Sequence, residues 1–285
     1  MPQERGQPQV DPGTNLDSIE QIRAYLAGQY TPTHREPQAE GAPADVSDAG
    51  PELFRPINRP PMAIATFLDD GLRQGEMVRI RQAVFRLGRE AGDFCIPHDA
   101  AISKRHAEVR RVQVQGEWQW FVRDLKSTNG VFTRISQAIL QAESQIMLGR
   151  TRLAFHPPEK ENPSAPPPTA TAPPAATQPW QSVDIADPTL FPTLRSINPV
   201  DTGFHFALNQ PSLKIGSDPE QCDLVINNDP FVAPLHATLQ RDDQAQWIIQ
   251  RVDCVNGLWA KIGAVRVRKL GMFLMGEQMF SLAVL

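Results

Sequence analysis

Leu87-Gly88-Arg89-Glu90, then Ile102-Ser103-Lys104-Arg105-His106, then Asp124-Leu125-Lys126-Ser127-Thr128-Asn129-Gly130: these three runs decide how the chain reads. Each adjoins a β-type stretch, so the polar residues fall at loops between strands. Arg89, Ser103, Lys104, Ser127, Thr128 and Asn129 are side chains rich in hydrogen-bond donors, two of them cationic. Such a set suits a phosphate, whose oxygens accept charge-assisted hydrogen bonds. It contains no nucleophile paired with a base, so it points to binding rather than to catalysis.

Working outward, short apolar runs with turn residues between them flank the polar clusters. They are Ala65-Thr66-Phe67-Leu68, Met77-Val78-Arg79-Ile80, Val84-Phe85-Arg86-Leu87, His106-Ala107-Glu108-Val109, Trp118-Gln119-Trp120-Phe121-Val122 and Arg152-Leu153-Ala154-Phe155. Runs of this length and spacing predict an all-β sandwich. The same layout then returns. Gly75 precedes Gly88 by thirteen residues, as Gly203 precedes Gly216, and Asn129-Gly130 lies twenty before Gly149-Arg150, as Asn256-Gly257 lies twenty before Gly276-Glu277. Between them His106-Ala107 corresponds to His236-Ala237, and the Trp120 region to Trp247. An internal repeat of this size implies two copies of one sandwich.

Proline marks what lies between the copies. Ten of the chain's 27 prolines fall in the first 61 residues and nine more between Pro157 and Trp180, so both segments should be extended and unpacked. The expected organisation is therefore a disordered proline-rich tail over 1–62, a sandwich over 63–157, a Pro/Ala/Thr-rich linker over 158–187, and a second sandwich over 188–285. Within the tail, Leu16, Ile19, Ile22 and Leu26 recur at helical spacing, Asp17 with Glu20 forms a capping-box pattern, and Gly28 is a stop signal. They predict a short helix near 18–27.

The order of motifs around Arg89, Ser103, His106 and Asn129 resembles the forkhead-associated (FHA) domain, a β-sandwich that binds phosphothreonine peptides. The resemblance covers about Ala63 to Pro158. It implies that loops bring Arg89, Ser103, Thr128 and Asn129 to one end of the sandwich, with Lys104 and Ser127 as flanking donors. Arg89 would fork onto the phosphate, and Asn129 would hold the peptide main chain. Gly88, His106 and Gly130 would shape the site, and Arg105 and Arg134 would supply cations for specificity beside it. FHA domains commonly discriminate by the residue three after the phosphothreonine. The tail offers Thr14 with Asp17 and Thr33 with Glu36 at that spacing, so a phosphorylated tail is a candidate ligand of the chain's own site.

The second copy departs from the pattern where phosphate would bind. Ser217 stands in the place of Arg89, Ala233-Pro234-Leu235 in that of Ser103-Lys104-Arg105, and Cys254-Val255 in that of Ser127-Thr128, while Gly216, His236 and Asn256 remain. The expected result is a degenerate copy that presents a protein surface; the alternative is a new phosphate set of Lys214, Lys261 and Arg268.

Composition narrows the partners. A net charge of -4 gives no general attraction to nucleic acid or to an anionic membrane. No apolar run reaches the roughly 18 residues of a membrane span and the N-terminus lacks a signal-peptide core, so the expected location is cytoplasmic. Cys95, Cys222 and Cys254 are odd in number and scattered, which suits reduced thiols. No P-loop, His-Glu-x-x-His, Cys-x-x-Cys or Gly-x-Ser-x-Gly motif is present, and His98 near Asp93 and Asp99 reads as turn composition. No enzyme activity, cofactor or metal is expected. The reading is a phosphothreonine-dependent adaptor acting downstream of a protein kinase; the alternative is a structural or oligomerisation scaffold indifferent to phosphorylation.

Overall fold

The structure is a computed structural model that describes residues 60–68, 75–158, 191–197 and 204–285. The segment 18–27, Thr14, Thr33 and most of the linker lie outside the described residues. Every regular element among the described residues is a strand. The first sequence copy supplies β1 (Ala63–Phe67), β2 (Glu76–Ile80), β3 (Val84–Gly88), β4 (Phe94–Cys95), β5 (Ala107–Val114), β6 (Glu117–Asp124), β7 (Val131–Ile135), β8 (Gln137–Leu140), β9 (Gln145–Leu148) and β10 (Thr151–His156). The second supplies β11 (Thr193–Ser196), β12 (His205–Ala207), β13 (Ser212–Gly216), β14 (Leu224–Val225), β15 (Ala237–Arg241), β16 (Trp247–Arg251), β17 (Leu258–Ile262), β18 (Ala264–Val267), β19 (Leu270–Met275) and β20 (Gln278–Val284).

Local sequence accounts for these elements. In β1, Ala63, Ala65 and Phe67 are buried while Ile64 and Thr66 are half-exposed, the alternation of a strand with one face on a core. The β5–β6 hairpin turns at Gln115-Gly116, both with positive φ (51° and 86°), which matches the twist of the strands it joins.

The two compact units do not coincide with the two sequence copies. One unit contains the first copy up to Val131 together with Ile262–Leu285; the other runs Phe132–Lys261, and β7 spans the boundary. In the first unit one sheet has the order β2-β1-β20-β19 and the other β4-β3-β5-β6-β18. Here β1 pairs antiparallel with β20, from Ala63 opposite Val284 to Phe67 opposite Phe280, and β18 pairs with β6. In the second unit the orders are β12-β11-β10-β9-β17 and β14-β13-β15-β16-β8. There the first copy's β10 pairs with β11, β9 with β17, and β8 with β16. Each copy thus gives its last three strands to the unit built around the other. The contiguous sandwiches expected over 63–157 and 188–285 are replaced by this exchange. The repeat is what makes such an exchange possible, because both copies offer strands of like length and pattern at corresponding places.

The core of the first unit shows the consequence. Phe67 stacks on Phe94 with ring centroids 4.1 Å apart and meets Phe280 at 5.5 Å, and Phe280 meets Phe273 at 5.2 Å. Half of this aromatic cluster comes from each sequence copy, and offset or tilted rings at these distances add to the stabilisation from burial.

Candidate functional site

The loops after β3, β4 and β6 converge at one end of the first unit. Backbone bonds tie the first two together: Arg89 N–H donates to Ser103 O at 3.0 Å and Ala91 N–H to Lys104 O at 3.0 Å. Gly88 makes this possible, because a Cβ there would lie 2.2 Å from Lys104 O. The third loop is joined to them through side chains. Thr128 N–H donates to Ser103 Oγ at 3.0 Å, and Asn129 Nδ2 donates to Ala101 O at 2.7 Å.

His106 fastens the assembly from beneath. Its ring is fully buried, Nδ1 accepts Ser103 N–H at 3.0 Å, and Nε2 therefore carries the proton donated to Gly130 O at 3.1 Å. Gly130 holds φ at 81° where the chain leaves the loop. His106, Gly88 and Gly130 are the three residues expected to shape the site, and these are the contacts they make. His236 repeats them in the second unit, accepting from Ala233 N–H at 3.0 Å and pairing Nε2 with Gly257 O at 2.8 Å. Burial lowers the proton affinity of both rings below the ordinary value. Unfolded histidine protonates near ~6.5. The stability these rings contribute is therefore complete above that pH and is lost as pH falls through the lower folded value. Thermal unfolding followed from pH 8 to pH 5 should show midpoints that fall below about pH 6.5, and His106→Gln with His236→Gln should flatten that dependence.

At the mouth of the site Arg89 and Lys104 meet one carboxylate. Arg89 Nη2 lies 2.9 Å from Glu90 Oε1, and Lys104 Nζ lies 3.1 Å from Glu90 Oε2. The Lys104 ammonium, then the Arg89 guanidinium, hold the Glu90 carboxyl below the usual carboxylate range. Two cations from different loops therefore converge beside Ser103 and Thr128.

Not every residue expected to bind ligand is placed to do so. The Ser127 hydroxyl donates to Asp124 Oδ1 and accepts Gly130 N–H at 2.9 Å, so it closes the loop rather than facing a ligand. Arg105 is exposed beside Lys104. Arg134 belongs to the other unit, where a Cβ on Gly257 would come within 2.6 Å of its Nε. The alternative phosphate set is divided as well, with Lys214 and Lys261 in the second unit and Arg268 in the first.

Asp99 escaped the sequence reading, which took it for turn composition. It is buried; Oδ1 accepts Ala101 N–H at 2.8 Å and Oδ2 accepts Glu277 N–H at 2.7 Å, linking the Ser103 loop to the β19–β20 turn of the other copy. Asp229 does the same in the second unit, with Oδ2 accepting Arg150 N–H and Thr151 N–H, both at 2.8 Å. The repeat placed Gly149-Arg150 and Gly276-Glu277 in register, but only the exchange shows what they hold. Asp99→Ala leaves two backbone donors without their acceptor and should destabilise the first unit by about 1–3 kcal/mol in chemical denaturation.

The second unit keeps the frame and lacks the donors. Ser217 N–H donates to Ala233 O at 3.0 Å, as Arg89 N–H does to Ser103 O, and Asn256 Nδ2 donates to Phe231 O at 2.8 Å, as Asn129 does to Ala101 O. The Ser217 hydroxyl donates to Val232 O. Val255 is 93% exposed and Phe231 39%, whereas Val232 is buried. The apolar surface expected of the whole 231–235 loop thus centres on Phe231 and Val255.

The FHA domain model matches residues 85–149 and 213–270. Two regions of the chain therefore carry the FHA domain pattern, in tandem. Among solved structures, full-length yeast Pml1p is similar at 20% identity and a TM-score of 0.25, over 28% of this chain and 62% of that one. Mycobacterium tuberculosis EmbR in complex with a low affinity phosphopeptide is similar at 21% identity and a TM-score of 0.21, over 33% of this chain and 24% of that one. The FhaA FHA domain complexed with the intracellular domain of Rv3910 is similar at 26% identity and a TM-score of 0.19, over 32% of this chain and 94% of that one. The chain spans less than two thirds of the length of the first two. No curated protein matches it.

Proposed function

We propose that the protein is a phosphothreonine-dependent adaptor that reads its ligand through Arg89, Ser103, Lys104, Thr128 and Asn129, while the second copy's loops serve as a protein surface. The observation that supports this most is the convergence of Arg89 and Lys104 on a single carboxylate beside the Ser103–Thr128 contact. A group with several anionic oxygens placed there meets two cations and neighbouring hydroxyl and amide donors. Hydrogen bonds to a charged group contribute about 1.5–3 kcal/mol each. Three or four, less the cost of ordering a peptide, correspond to roughly micromolar affinity. That is suited to a contact switched by a kinase.

The test is calorimetry on the full chain with peptides selected from a randomised phosphothreonine library, each compared with its unphosphorylated form. Binding of the phosphorylated form alone is the expected result. Equal binding of both forms would favour the scaffold reading instead.

A further inference from the structure

Glu90 has no part in the donor set, yet its carboxylate pairs with both of the set's cations. Its carboxylate is shared between a guanidinium on its own loop and an ammonium on the next, at 2.9 and 3.1 Å. We propose that Glu90 is a built-in competitor of the phosphate, which holds the Arg89–Lys104 pair until a phosphoryl group displaces it and so sets the affinity threshold an incoming anion must exceed. This rests on the phosphate-binding reading of the same site.

The physics of displacement follows from charge and exposure. The Glu90 and Lys104 side chains are 46% and 73% exposed, and ion pairs so open to water are weak and exchange readily. A phosphothreonine carries a charge of about -1.5 to -2 and three acceptor oxygens. It can replace both contacts of the single-charged carboxylate and add hydrogen bonds to the Ser103–Thr128 loops. A peptide carboxylate offers only what Glu90 already supplies. It has no advantage with which to drive Glu90 out, so aspartate or glutamate in place of phosphothreonine should not bind. The second copy has neither partner cation, with Ser217 and Pro234 at the corresponding positions. There Asp218 turns to local backbone instead, accepting Glu220 N–H at 2.9 Å.

The same contacts define the opposing role, in which Glu90 holds Arg89 and Lys104 in position for the ligand. The two roles differ in sign. A positioning residue helps binding, whereas a competitor opposes it.

The experiment uses the full chain and its Glu90→Gln variant, which keeps the side chain's shape and removes its charge. Two probes, inorganic phosphate and a capped phosphothreonine, are titrated by NMR at the backbone amides of Arg89, Ser103 and Thr128. Both should bind the variant about three- to tenfold more tightly, the scale of removing exposed ion-pair competition. The gain should be alike for the two probes, because both must displace the same carboxylate. Detectable binding by the variant alone also supports the proposal. If the native chain binds and the variant binds no more tightly, or only one probe gains, Glu90 is not a competitor and the phosphate-binding reading stands. If neither protein binds either probe, both readings fall. Glu90→Ala should show the same gain, and a loss there would equally overturn the proposal.

Discussion

Deleting Ala264–Leu285 is expected to unfold the unit that carries Arg89 while leaving the other unit folded. The deleted residues belong by sequence to the second copy, yet they supply β18, β19 and β20 to the first unit. Phe273, Met275, Phe280 and Leu282 all have 0% exposure. At about 1.5–3 kcal/mol for each buried side chain, their loss is of the order of a whole domain's stability, ~5–15 kcal/mol. Strand β1 would also lose one of its two hydrogen-bonded neighbours along its full length. A milder form of the experiment is Phe280→Ala, which should cost about 3–5 kcal/mol. Hydrogen exchange provides the readout: protection should vanish at residues 84–124 and persist at residues 237–251. Retained protection in the Arg89 unit after the deletion would show that the first copy closes on its own strands.

Replacing Arg89 by alanine should weaken phosphopeptide binding by roughly ten- to a hundredfold, since one charge-assisted contact contributes about 1.5–3 kcal/mol and each decade takes ~1.4 kcal/mol. The fold should survive, because the loop is tied by the Arg89 backbone N–H rather than by its side chain. Calorimetry of the full chain should give one phosphopeptide per molecule, and the variant should show no second site, since the second copy offers Ser217, Ala233 and Val255 at the matching positions. A stoichiometry of two, or an unchanged affinity in the variant, would contradict the assignment.

Much of the loop framework around Arg89 was legible because it depends on local features. Gly88 is required by a loop-to-loop approach, His106 lies three residues after Ser103 and accepts its N–H, and Asn129 precedes a glycine with positive φ. Residue type and spacing carry all of that. Ser127 and Glu90 were less legible for the opposite reason. A hydroxyl committed to Asp124 and a carboxylate bridging two cations look, in sequence, like an available donor and an ordinary loop acid.

By itself the sequence determined that the described chain is built of strands, that the pattern occurs twice, and which copy carries Arg89, Ser103, Lys104 and Thr128. These follow from alternation, turn residues and side-chain chemistry, which are properties of short segments. Which strands close which sandwich was decided only in the tertiary structure. Both copies present like strands at like spacing, so pattern alone cannot distinguish β10 from β20 as the partner of β1. The choice depends on long-range pairing and on shared packing among Phe67, Phe94, Phe273 and Phe280, and it takes half of that aromatic cluster from more than a hundred residues away along the chain.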